Sequence, residues 1–126
     1  MAIKLDFEKD DTIDIDNLKE EFRRIGPLLR RYSEIWAEAG EAFGIAKAVH
    51  EELRSKKYLQ FRSQEGKITE KTLEAMIDTD PEVIKAQRAM LEAEREYKTI
   101  RGYVDGLLAK KDSLIQLGAD ARKEYS

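Results

Sequence analysis

Between Arg54 and Lys67 the chain reads RSKKYLQFRSQEGK, with five basic residues (Arg54, Lys56, Lys57, Arg62, Lys67) against Glu65. Tyr58 and Phe61 are interleaved among them. Cations grip a phosphate backbone and aromatic rings stack on unpaired bases, a combination suited to single-stranded nucleic acid. Arg54, Lys56, Lys57, Tyr58 and Arg62 are therefore the candidate strand-binding residues. A plain alternative stands beside this one, because basic side chains at a helix C-terminus also favour the helix dipole. A second basic group, Arg23, Arg24, Arg30 and Arg31, flanks Gly26-Pro27 and carries the same two readings.

Other chemistry finds little purchase. His50 is the only histidine, beside Val49 and without any metal-ligand spacing around it. Cysteine is absent, which removes disulfides, thiolate metal sites and thiol catalysis. Carboxylates are abundant but lie in Glu/Lys/Arg mixtures of the kind that stabilise helices locally. None is marked for acid/base work. The glycines are isolated, and no GxxxxGK followed by Ser or Thr occurs. The run DFEKDDTIDID, residues 6–16, loosely suggests a calcium loop but lacks its glycine and terminal glutamate. A non-enzymatic protein with no metal and no cofactor is expected.

Charge has to be read by segment. Residues 1–21 hold eight acids against three lysines, a net of −5, while the whole chain carries −3. The remainder is thus mildly basic, so the overall pI of 5.4 does not argue against nucleic acid. With 39% of residues charged and only two prolines, the composition is that of long, solvent-washed helices. The opening MAIKLDFEKDD lacks the basic start and apolar run of a secretory signal. No apolar stretch approaches the roughly 20 residues needed to cross a bilayer. A soluble, cytoplasmic protein is expected (host cytoplasm if phage-encoded).

The elements that must position the candidate residues are helices, and the fold class expected is all-α. Residues 1–16 alternate apolar and acidic types weakly and are expected to be a flexible arm, since no partner strand is evident. Asn17 with Glu20 resembles a capping box and starts a short first helix that ends at Ile25. Gly26-Pro27 breaks the chain, and a second helix runs from Pro27 to about Arg62. Its seam reads Leu28, Tyr32, Ile35, Ala39, Ala42, Ala46, Val49, Leu53. A short helix over 69–77 lies in the connection. Asp80-Pro81 starts a last helix running to Leu117 with Gly118 as its cap, leaving 119–126 as a tail. Its seam reads Val83, Ala86, Met90, Ala93, Tyr97, Ile100, Val104, Leu107, Lys111, Leu114, and the regular heptads predict coiled-coil-like packing.

Folding residues 17–118 as an antiparallel helical hairpin, with paired positions adding to 146, sets Ala39 against Leu107, Ala42 against Val104, Ala46 against Ile100 and Leu53 against Ala93. Small then faces large at each step. Two apolar sets lie off that seam: Leu29, Trp36 and Phe43, and Leu91, Leu108 and Ile115. A two-helix hairpin cannot cover them all, so a homo-oligomer larger than a dimer is expected. Gly40 with Gly44, and Gly102 with Gly106, are spaced for close approach of another helix or are simply tolerated; both readings stand.

The arrangement across residues 17–118 resembles the phage recombination mediators of the UvsY family. The residues carrying the resemblance are FRRIGPLLRRY (22–32), the alanine-rich run after it, the basic-x-basic pair Arg54-x-Lys56, KITEKTLEAMIDTDPEV and KKDSLIQLG. The resemblance implies a ring-forming, mainly helical homo-oligomer that binds single-stranded DNA. It implies, too, a role in loading a RecA-like recombinase onto strands covered by single-strand-binding protein. Arg54 and Lys56 match the family's DNA-binding pair, whereas Lys57, Tyr58 and Arg62 come from charge and stacking. A ring would multiply a modest basic patch through avidity. Two other classes share the heptads: a prefoldin-like holdase, which would need β-hairpins, and a phage structural or scaffolding coiled coil, which would not need the basic-aromatic segment.

Overall fold

A computed structural model describes residues 5–64 and 66–124. It is all-helical, with 91% helix and no strand among the described residues. In chain order come a five-residue helix α1 (Phe7–Asp11), a single 3₁₀ turn (Ile15–Asn17), α2 (Leu18–Gln64), α3 (Glu70–Asp78) and α4 (Pro81–Glu124). The chain divides into two compact units, one holding the residues up to Ala37 together with those from Lys98 onward, the other Glu38–Tyr97.

The local signals explain most helix ends. Thr69 caps α3 by accepting the N–H of Thr72 on its hydroxyl at 3.2 Å. Asp80 caps α4 by accepting the N–H groups of Glu82 and Val83 on one oxygen, at 3.0 and 3.2 Å. Gly66 takes a left-handed φ of 65°, which a residue with Cβ rarely adopts, and so lets the chain turn after α2.

Two expectations about helix limits are corrected. Gly26-Pro27 does not break the chain: α2 runs through Pro27 without interruption, so no separate first helix ends at Ile25. Pro27 removes one backbone donor, at a cost of about 3 kcal/mol in a helix interior. Apolar residues on both sides of it, Ile25, Leu28, Leu29 and Tyr32, join the same core, and their burial outweighs that cost. Gly118 does not end the last helix either, since α4 continues to Glu124 and takes in most of the expected tail. Its missing Cβ accommodates the ring of Phe22, which lies 3.1 Å from where a Cβ would stand. The segment expected to be a flexible arm has partners over the residues described. Leu5, Phe7 and Ile13 pack on the core of the first unit, and Lys110 holds the carbonyls of Asp10 and Thr12.

Within each unit the two long helices pack antiparallel, in a register different from the expected one. Tyr97 meets Gly40 and Phe43 in the second unit. In the first, Tyr32 meets Tyr103. Gly40 and Tyr97 add to 137, roughly nine positions short of 146. Ala42, placed in the seam by the sequence, is exposed, as is Val49. The cause is α3, which folds back along the last turns of α2. Leu73 and Ile77 of α3 join Val83 of α4 in a core that takes in Tyr58, Phe61 and Ile68. That excursion uses up the end of α2, so α4 starts level with Lys57 rather than with Gln64.

The seam of α4 is as expected at Val83, Ile100, Val104, Leu107 and Leu114, all buried. Lys111 is exposed, and its neighbour Lys110 is the buried lysine. Two of the four paired glycines receive rings of their own unit, Gly40 from Tyr97 and Gly106 from Phe7, while Gly44 and Gly102 face open space. Leu29 and Trp36 pack on the core of the first unit and Phe43 on Tyr97, whereas Leu91, Leu108 and Ile115 stay exposed with Ile45, Val49 and Leu59.

Candidate nucleic-acid interface

In the second unit the basic-aromatic segment forms the last turns of α2. Arg54, Tyr58 and Arg62 recur every four residues and so share one face of that helix. That face is turned to α3. Arg54 donates to Asp78 at 2.7 Å. The Tyr58 hydroxyl donates to Glu70, 3.2 Å from Oε1. Arg62 reaches the same carboxylate at 2.9 Å and donates to the Ile68 carbonyl at 3.3 Å. Arg54, Ser55, Tyr58, Leu59, Glu70, Glu74 and Ile77 line an open groove of about 410 Å³.

Lys56 and Lys57 part company. Lys56 points to solvent, 70% exposed, and among the described residues pairs only with Glu52 one turn back. Lys57 is 13% exposed and sits 3.4 Å from both Asp80 and Glu82, at the start of α4. Its ammonium is 6.0 Å from the centre of the Phe61 ring. Lys57 therefore ties α2 to α4, and its charge is the least available of the five to an outside phosphate. Residues 54–82 hold six basic and six acidic residues, so the segment is neutral in sequence.

The second cluster lies in the first unit. Arg23 is 78% exposed and pairs with Glu20 at 3.3 Å. Arg24 faces Asp10 at 3.7 Å and Glu21 at 3.9 Å. Arg30 and Arg31 are exposed and make no ion pair among the described residues. Arg23, Arg24 and Arg31 line a groove of about 500 Å³ with Glu20, Pro27 and Leu28. Among the described residues the candidate cations without an ion pair are thus Arg30 and Arg31, and those at 23, 24, 54, 56, 57 and 62 are paired.

Sequence reasoning missed a third constellation, also in the first unit. Lys110, 2% exposed, donates to the carbonyls of Asp10 and Thr12 at 2.6 and 3.0 Å and pairs with Glu21 at 2.8 Å. Beside it the Tyr32 hydroxyl donates to Asp10 at 2.7 Å. Burial raises the Tyr32 phenol well above its ordinary value, and the hydrogen bond to Asp10 and that carboxylate's charge push it further. The one available signal was the alternation of Leu5, Phe7 and Ile13 in the acidic arm, too weak to name a partner.

His50 is half-buried, and its Nε2 makes no hydrogen bond among the described residues. Among the described residues no group of three His, Cys, Asp or Glu is placed to hold a metal ion, and no helix is long and apolar enough to cross a membrane. Compared with protein-family models, with curated proteins and with solved structures, the chain matches none.

Proposed function

We propose that this protein is a non-enzymatic single-stranded-DNA-binding recombination mediator, working as a homo-oligomer larger than a dimer. In this reading it helps load a RecA-like recombinase onto DNA covered by single-strand-binding protein. The observation that carries it is the row Arg54, Tyr58, Arg62 on one face of α2, the first two of them lining an open groove, with Lys56 exposed beside it. The carboxylates that hold these cations are themselves exposed, Asp78 and Glu70 at 61% and 60%. Exposed pairs of this kind contribute only about 0–1 kcal/mol, so a strand's phosphates can displace them. Tyr58 then offers a ring to an unpaired base. Exposed Ile45, Val49, Leu59, Leu91, Leu108 and Ile115 support the oligomer, because a monomer would leave them all in water. The resemblance to the UvsY family points the same way.

A second reading is a structural or chaperone-like coiled coil that binds no nucleic acid. The balance of six basic and six acidic residues over 54–82 favours it.

A salt titration of binding to single- and double-stranded DNA separates the two. Each phosphate neutralised on a single strand contributes a slope of about −0.7 to log K against log salt. Wild-type protein is expected to prefer the single strand, and Arg54→Ala with Lys56→Ala to flatten the slope while leaving helicity intact. Absence of binding at low salt ends the mediator reading and leaves the structural one. Unchanged binding by the double variant moves the site to Arg23, Arg24, Arg30 and Arg31. Light scattering tests the assembly: a stable 14.6 kDa monomer at micromolar concentration overturns the oligomer.

A further inference from the structure

The most acidic stretch of the chain is docked on aromatic and cationic side chains. Residues 5–17 carry six acids against Lys9. Phe7 lies nearly flat on Tyr103, ring centres 4.4 Å apart and planes at 18°, and meets Tyr32 edge-on at 6.3 Å. Three residues later Asp10 accepts the Tyr32 hydroxyl and faces the Arg24 guanidinium. A flat ring on a tyrosine, followed by an anion on an arginine, is the pattern in which a protein holds a nucleotide of a single strand: base on ring, phosphate on cation.

The segment is weakly held by its own structure. Helix α1 has five residues and none of them is buried, and so short a helix is not stable by itself. The socket keeps partners without it: Lys110 retains Glu21 at 2.8 Å, and Arg24 retains Glu21 at 3.9 Å. Displacing the segment would therefore strand no buried cation. It would bare two tyrosines and two cations on a face that loses the net charge of −2 carried by residues 7–12.

We propose that Tyr103, Tyr32, Arg24 and Lys110 form a second strand-binding site, taking an unpaired base and its phosphate, and that the acidic segment from Phe7 to Thr12 holds it shut. The inference rests on the single-stranded-DNA reading above. It gives the acidic segment a role: the segment competes for the site as a tethered stand-in for the strand, and a strand long enough to fill the site displaces it.

Two uncharged substitutions in the full chain test this. Phe7→Ala removes the stacked ring. Gly106→Ala places a Cβ 2.6 Å from the Phe7 ring and forces it out. Neither alters the charge of the protein, so a change in DNA affinity cannot come from net charge. Hydrogen exchange of the amides of 5–17 reads release of the segment, and titration with a fluorescent oligothymidylate at fixed salt reads the site. Both variants are expected to exchange faster there, to keep α4 protected, and to bind about tenfold more tightly, the gain of roughly one stacked base. Adding Tyr103→Ala should abolish the gain. Release without tighter binding overturns the proposal, and so does a segment that stays protected in both variants. If wild type binds and release changes nothing, the second site alone falls; if neither wild type nor the released variants bind, the mediator reading falls with it.

Discussion

Asp80 divides its carboxylate between two tasks: Oδ1 caps the first turn of α4, and Oδ2 lies 3.4 Å from the ammonium of Lys57 on α2. One side chain thus starts a helix and attaches it to another. Lys57→Ala is expected to cost about 1–3 kcal/mol, because it leaves a mostly buried carboxylate short of its counter-ion. Lys56→Ala, one residue earlier and exposed, should change stability by less than about 0.5 kcal/mol. Urea denaturation of the two variants measures the difference. Equal stabilities would show that Lys57 is as solvated as its neighbour.

Lys110 and Glu21 form the one ion pair of the first unit with both side chains buried among the described residues. Lys110→Ala leaves the glutamate charged in a dry site and two carbonyls without their donor, and should cost about 3–5 kcal/mol. Lys110→Met together with Glu21→Leu should recover much of that loss in a thermal melt. A double variant no more stable than Lys110→Ala would place the cost in the carbonyl contacts alone.

The mid-helix glycines divide by what faces them. Gly44→Ala and Gly102→Ala meet nothing within 4 Å, so each should gain about 0.5–1 kcal/mol from the stiffer backbone. Gly106→Ala gains the same backbone term but drives a Cβ to 2.6 Å from Phe7, and overpacking of this kind costs about 1–3 kcal/mol. Melting temperatures should therefore rise for 44 and 102 and fall for 106. A shared direction would refute the division.

Tyr32 makes stability depend on alkaline pH. The folded chain holds its proton more tightly than the unfolded chain, whose phenol titrates near 10. Above that pH the unfolded state carries fewer protons than the native one, so stability is full below about pH 10 and falls as pH rises further. Tyr32→Phe should cost about 0.5–1.5 kcal/mol at neutral pH through loss of the bond to Asp10, yet show a shallower alkaline decline. Parallel pH profiles for the two proteins would assign the decline to other groups.

What was legible in the sequence was what neighbouring residues decide. Asp80-Pro81 marks the start of α4 because cap and first residue act within one turn, and the heptad row from Val83 to Leu114 is buried nearly as spaced. Decisions made at long range were not legible. Pro27 signals a break locally, but Ile25 and Tyr32 lie in one core and carry the helix through it. The register depended on where α3 lies, and nothing in its own nine residues says that it folds back on Tyr58 and Phe61. The row Arg54, Tyr58, Arg62 was visible as charge and ring at fixed spacing, whereas its pairing with Asp78 and Glu70, 24 and 8–12 positions away, needed three dimensions. Lys110 was hidden for the same reason: its partners Asp10 and Thr12 are 100 and 98 residues distant.

The grip of Lys110 falls on main-chain oxygens, at residues 10 and 12, and every amino acid carries that oxygen. Position 12 can therefore change identity over evolutionary time without loosening the latch, while position 7 must stay flat and aromatic to fit above Gly106 and position 10 must stay anionic for Tyr32 and Arg24. Drift in this stretch should be uneven, permissive at one site and strict at its neighbours, so a segment that reads as low in information is constrained by shape more than by letters.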